Sequence, residues 1–416
     1  MQRSGLDAPR VTAGLTPDLA RGPANASLHP ERESPTAGHF PALDGVRGVA
    51  IAVVLIFHVG QFGQTLIGHS ATASKLERGL LALSNHGWLG VDLFFALSGF
   101  LITGILSDAK GRPNYLRVFF GRRALRIFPL YYAALLILLV VSVRLQDPPA
   151  VRWAGAWAWL YLINVKVAVS GPATVSTILH HFWSLGVEEQ FYLLWPFLVL
   201  ASSRRGMMRI CVGSFLLAIV LRIVLKAHLV GPAGWLMPGR LDALAAGGWV
   251  ALALRGPFGE AGARRYARLT SWGAGGCLLA VLAASSRYVV IPHVDLEEVS
   301  IPLAALLFAA MIATVVLSRG GMAARLFSAS PPRFLGRYSY AIYVFHQPLT
   351  ILLLRAAVFQ RAAASDGSRL PVYALLFASV ASAAIVCALV SWHLWEKHFL
   401  RLKSRVTYGA AVVAQG

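Results

Sequence analysis

The residues best suited to chemistry in this chain are titratable groups set inside apolar runs. The first run, residues 42–60, reads ALDGVRGVAIAVVLIFHVG, with Asp44 and Arg47 at its start and His58 near its end. It is long enough to span a bilayer as a helix at 1.5 Å rise per residue. Arg47 and His58 fall within about 20° of one helical face, with roughly 16 Å of rise between them. A charged side chain facing lipid costs about 2.5–3.5 kcal/mol. One side of this helix is therefore expected to face a polar site reaching from one membrane surface into the core. The plainer alternative is a structural histidine bonded to a backbone carbonyl.

Further groups of this kind follow. Asp92 lies in GWLGVDLFFALSGFLITGIL. A carboxylate there needs a partner, and His58 matches it in depth; a salt bridge that only aligns two helices is the alternative. Gly99 and Thr103 on the same run have the spacing of close helix packing. The segment YLRVFFGRRALRIFPLYY carries Arg117, Arg122, Arg123 and Arg126 among aromatics. Guanidinium forks suit phosphates, so Arg122, Arg123 and Arg126 are candidates for a polyphosphate donor rather than simple anchors. In HHFWSLGVEEQFYLLWP, His180 and His181 precede Glu188 and Glu189. One glutamate is expected to face the bundle interior and the other the interface. The spacing HExxH is missing, and no metal is expected. Arg240 and Asp242 open another run as a pair for structure or for the acceptor. Ser339, Tyr343 and His346 share one helical face, with His346 at mid-depth, and Glu396 is expected to pair with a cytoplasmic Arg or Lys. By depth, His58, Asp92, Glu188 or Glu189, and His346 group in the outer half, while the arginines group at the inner face.

The elements that position these residues follow from composition. Of 416 residues, 57% are hydrophobic and 13% charged, and mean hydropathy is +0.63. Soluble domains carry about 25% charged residues. The pattern is that of an all-α integral membrane protein. Apolar runs recur at 42–60, 88–106, 126–143, 154–165, 184–202, 209–227, 238–254, 271–286, 299–318, 336–357 and 371–395. The segment 154–165 is short and Trp-rich, so it is expected to lie at the interface or re-enter. About ten transmembrane helices remain, with both termini on one side. That side then holds 26 of the 38 Lys and Arg, and the other holds 10. The positive-inside rule assigns the richer side to the cytoplasm. The net charge of +20 is explained by these loops, and no nucleic-acid partner is expected. Residues 1–40 read as a disordered cytoplasmic tail, 41–400 as the transmembrane domain and 401–416 as a cytoplasmic tail. Cys211, Cys277 and Cys387 lie in apolar runs and read as small core residues.

Taken in order, these motifs resemble acyltransferase family 3, the multi-span membrane O-acyltransferases, over about residues 40–400. The matching stretches are LDGVRGVAIAVVLIFHV, GVDLFFALSGFLIT, RRALRIFPLYY, HFWSLGVEEQFYLLWP, RLDALAAG and LGRYSYAIYVFHQPL. Val46 and Gly186 depart from the Leu and Ser frequent in other members. The resemblance implies transfer of an acyl group, acetyl foremost, from cytoplasmic acyl-CoA to a hydroxyl of a sugar or glycoconjugate, in the inner membrane of the cell. Acyl-CoA would be a co-substrate, with no tightly bound cofactor. Carried over by position, the functional histidine is His58 and the helix-opening arginine Arg47. The arginine motif falls on Arg122, Arg123 and Arg126, and the paired glutamates on Glu188 and Glu189. No stretch resembles the SGNH-type esterase-like domain fused to some members, so a relay through one on this chain is not expected. The contrasting class is a proton-coupled transporter or exporter using the same buried His, Asp and Glu.

Overall fold

The computed structural model describes residues 40–67, 74–144, 156–256, 259–286, 296–318, 320–364 and 369–408. The expected N-terminal tail lies outside them, apart from Phe40. The described residues form helices and turns, with no strand among them. In chain order the helices are α1 Pro41–Ile67, α2 Lys75–Ser84, α3 Leu89–Ala109, α4 Tyr115–Arg144, α5 Ile163–Ser170, α6 Trp183–Ala201, α7 Arg204–Leu225 and α8 Leu241–Leu254. They continue with α9 Gly259–Ser286, α10 Leu296–Leu317, α11 Met322–Ser328, α12 Ser330–Leu354, α13 Ala357–Ala364, α14 Leu370–Ser391 and α15 Lys397–Arg401.

A helix occupies each of the ten runs assigned to spans, yet among the described residues six stretches are long and apolar enough to cross by length and composition: Pro41–Gln64, Lys75–Ala109, Tyr115–Val141, Arg204–Leu225, Glu298–Leu317 and Leu370–Arg405. The expected ten is thus not reached on this measure. Helix α8 shows one reason. Its 14 residues rise about 21 Å, short of the roughly 30 Å hydrocarbon core. The turns Ala233–Trp235 and Pro238–Arg240 precede it. Faces that meet lipid are apolar: α7 exposes Val212, Leu216, Val220 and Ile223. Of the three cysteines only Cys211 is buried; Cys277 is exposed and Cys387 half-buried, which corrects the core assignment for two of them.

Helix α1 is the centre of the bundle, packed most extensively against α12 and also against α3. Without hydrophobic drive between helices in lipid, close backbone approach at small residues holds such pairs. A Cβ on Gly48 would overlap the Pro332 carbonyl, and one on Gly336 the Asp44 carbonyl. Helices α3 and α8 cross in the same way, Gly99 against Leu244 and Gly247 against Ala96. The small-residue spacing of Gly99 and Thr103 therefore does mark packing. Thr103 accepts a 2.8 Å bond from the Trp195 indole.

Candidate active site

Three cavities follow one another along α1. At its N-terminal end, where α12 begins and α14 ends, is a vestibule of about 1510 Å³ lined by Asp44, Arg47, Arg126, Arg333, Arg337 and Trp392, among others. A middle cavity of about 870 Å³ shares Arg47, Arg126 and Tyr340 with it and adds Arg123, Glu188 and Glu189. A third, of about 1430 Å³, lies at the far end of α1 beside His58, His180, His181, Trp235 and Arg240. Val91 and Tyr343 line both this cavity and the middle one. The face shared by Arg47 and His58 thus looks into cavities at both ends of α1.

The histidine cavity contains a directed hydrogen-bond chain. His346 is fully buried, with Nδ1 2.6 Å from the Tyr343 carbonyl oxygen and Nε2 3.0 Å from His58 Nδ1. A carbonyl only accepts, so Nδ1 of His346 carries a proton and, in the neutral ring, its Nε2 is an acceptor. The proton between the rings then belongs to His58 Nδ1, and Nε2 of a neutral His58 keeps a free lone pair. His58 is half-buried and lines the cavity, while His346 stands behind it. His181 packs on His346 with ring centroids 5.3 Å apart and donates from Nε2 to the Val344 carbonyl, 3.1 Å away. His180 and His181 precede α6. Burial pushes His180 down to about 4 and holds His181 well below the ordinary imidazole range, so both rings are neutral at physiological pH. The segment before them closes over the cavity through Pro172, Val175 and Thr177, whose carbonyl accepts from Gln347. Trp157 and Trp159 sit in the short turn of helix ahead of it, and Trp153 lies outside the described residues.

Asp92 does not pair with His58. Its Oδ1 accepts a 2.8 Å charge-assisted bond from Arg240 Nη1, and both side chains are almost wholly buried. Arg240 and Asp242 likewise do not pair with each other. Asp242 is 2.7 Å from Arg222 Nη1, and Arg222 Nε reaches Glu298 at 2.8 Å. The reason is angular. These residues match in depth, but the turn before α8 directs Arg240 toward α3 while the first turn of α8 directs Asp242 toward α7. The glutamates also depart from expectation. Glu188 and Glu189 both line the middle cavity, opposite Arg47, Arg123 and Arg126 rather than beside the histidines. The guanidinium of Arg123 lies over the Tyr192 ring, 5.2 Å from its centroid, and the Tyr192 hydroxyl is 2.6 Å from that of Ser98.

The arginine motif divides. Arg123 and Arg126 face the cavities. Arg122 donates to the Val406 carbonyl at 2.7 Å and lies over Tyr408, so it fastens the chain after α15 to α4. Ser339 and Tyr343 line the middle cavity as their shared face predicts. The Tyr343 hydroxyl donates to the His181 carbonyl at 2.8 Å. Glu396 faces the vestibule with Arg47, Arg126, Arg333 and Arg337, and accepts from Ser391 at 2.9 Å. Sequence reasoning counted Arg333 and Arg337 only as loop charges and passed over Trp183 and Trp235. These two rings stack 5.2 Å apart and 10° from parallel in the wall of the histidine cavity. The i,i+4 spacing of the arginines was the signal available. No group of three or more His, Cys, Asp or Glu suited to a metal ion occurs among the described residues.

The family model described as an acyltransferase domain, acyltransferase family 3, matches residues 40–393. The chain belongs to this family. The peptidoglycan O-acetyltransferase OatA of Listeria monocytogenes is 25% identical over 331 residues, covering 76% of this chain and 50% of the relative. The O-acetyltransferase OatA of Staphylococcus aureus is 28% identical over 173 residues, covering 39% of this chain and 25% of the relative. The chain therefore spans half the length, or less, of these curated relatives. No solved structure matches it.

Proposed function

We propose that the chain is an inner-membrane O-acetyltransferase with ten spans and both termini in the cytoplasm. It would take acetyl from acyl-CoA at the arginine-lined end and pass it to a hydroxyl of a carbohydrate or glycoconjugate in the histidine cavity. Peptidoglycan is the foremost acceptor, given the names of the relatives. The observation that carries the reading is the chain from the Tyr343 carbonyl through His346 to His58, which leaves His58 Nε2 bare at the cavity wall. Such a nitrogen is a general base. It takes the proton of the acceptor hydroxyl as that oxygen bonds to the thioester carbonyl carbon. The C–S bond then breaks, and the departing thiolate recovers the proton from His58. The same lone pair could instead attack the thioester and hold the acetyl on nitrogen until the acceptor arrives. His346 would be a positioning residue, setting the His58 tautomer. The Trp183 and Trp235 rings offer apolar faces to a sugar, and Arg240 and His180 offer polar edges.

The test is acetyl transfer by purified, monodisperse His58→Ala and His346→Ala variants. Loss of a general base costs about 10²–10⁴-fold in kcat, so His58→Ala should nearly abolish transfer and still bind donor. His346→Ala should lose less and, unlike a folding defect, shift the pH profile. Near-normal turnover in His58→Ala would reject the assignment. Labelled acetyl retained on protein without acceptor would select the covalent route. Absence of thioester cleavage, with movement of a solute coupled to protons, would select the transporter.

A further inference from the structure

We propose that the vestibule is the seat of the nucleotide end of the donor, with Arg333 and Arg337 holding its phosphates and Trp392 its base. The proposal rests on the acyl-CoA reading and deepens it. Arg47, Arg126, Arg333 and Arg337 line this cavity against two carboxylates, Asp44 and Glu396. Such an excess of guanidinium groups around about 1510 Å³ calls for a polyanion. Arg333 and Arg337 are one turn apart on one face of α12. Neither forms an ion pair among the described residues. Both stand in the first two turns of α12, near the positive end of its helix dipole.

The aromatic component is beside them. The Arg337 guanidinium lies 5.2 Å from the Trp392 ring centroid and 5.7 Å from that of Tyr338. A guanidinium placed over an aromatic ring in this way keeps N–H donors for a bidentate phosphate. Trp392 begins a π-helical turn, Trp392–Glu396, that interrupts the end of α14 and brings Trp392 and Glu396 into the cavity wall. Such turns are uncommon in helices and recur at functional sites. Arg47 and Arg126 belong to both the vestibule and the middle cavity, whose wall continues through Phe94, Leu101 and Tyr343 toward His58. A nucleotide held at Arg333 and Arg337 would therefore send its thioester arm past Arg47 along α1, over about 16 Å, to the bare His58 nitrogen. This moves the phosphate site from Arg122, which is engaged with the Val406 carbonyl, to residues on another helix.

The experiment compares two donors in the purified full chain: acetyl-CoA, and acetyl-pantetheine, which has the same thioester arm and no nucleotide. Arg333→Ala and Arg337→Ala should each raise KM for acetyl-CoA about tenfold or more and leave kcat/KM for acetyl-pantetheine unchanged. Arg337→Lys should recover only part of the loss, because an ammonium neither stacks nor forks. Adenosine 3′,5′-bisphosphate alone should bind the wild type by calorimetry, and bind the Trp392→Ala and Arg337→Ala variants weakly. Equal losses with both donors, or none with either, would overturn the proposal even if the enzyme uses acetyl-CoA. A wild type that uses neither thioester would instead overturn the acyl-CoA reading and this proposal with it.

Discussion

Asp92 is fully buried and gives its charge to Arg240, so its replacement is expected to act on stability first. Breaking a buried pair by removing one partner typically costs about 3–5 kcal/mol, since the other charge stays uncompensated. Asp92→Ala should therefore unfold at clearly lower temperature in detergent, and Asp92→Ala with Arg240→Met should recover part of the loss. Equal thermal stability of Asp92→Ala and wild type would mean that the pair is not intact in the bilayer. The sequence showed that Asp92 needed a partner, because a carboxylate in an apolar run cannot stand alone. It could not show which, since helical depth fixes position along the membrane normal and leaves the azimuth open. His58 and Arg240 both satisfied the depth condition. The same ambiguity grouped one of Glu188 and Glu189 with the histidines, whereas both face Arg47, Arg123 and Arg126. His346 and Tyr343 were legible because their spacing within a single helix fixes a shared face without reference to any neighbour.

Between helices, the glycines of α1 and α12 do what side chains do elsewhere. A methyl at Gly48 would meet backbone rather than a side chain able to rotate away. Gly48→Ala should therefore push α12 off α1, at about 1–3 kcal/mol for overpacking, and widen the vestibule that the two helices enclose. Gly213→Ala on α7 is the control, with no atom within 4 Å of an added Cβ. There, alanine should be neutral or stabilising by about 0.5–1 kcal/mol. Thermal unfolding of the two variants side by side checks this, and equal loss in both would remove the close-approach argument. The pairing of α3 with α8 was half visible, since Gly99 and Thr103 announce a packing face. The partner was not, because α8 is short and its glycines at 247 and 248 read equally well as flexibility. The turn at Trp392–Glu396 was invisible, because an extra residue in a helical turn leaves no mark in hydropathy.

At the scale of the molecule, the order of apolar runs and the charge of the loops were legible, and the cavities were not, since a cavity depends on how faces from several helices meet. The decisive question of orientation is whether the Trp-rich segment crosses. A crossing at 154–165 would invert everything after it and place the basic loop at 204–209 outside, against the positive-inside rule. The local geometry argues the same way. The helical turn at 156–159 ends at Tyr161, whose φ of 56° breaks the helix, and α5 has eight residues. Eight residues rise about 12 Å, far short of a bilayer. From there the chain runs back over the histidine cavity to Thr177. In a background with Cys211, Cys277 and Cys387 replaced, single cysteines at 112, 205 and 403 should be shielded from a membrane-impermeant maleimide in intact cells and react after permeabilisation. Single cysteines at 75 and 230 should react without it. Outward labelling at 205, with inward labelling at 112, would make the Trp-rich segment a span. It would then put the basic loop at 204–209 and the loop at 112 on opposite faces of the membrane.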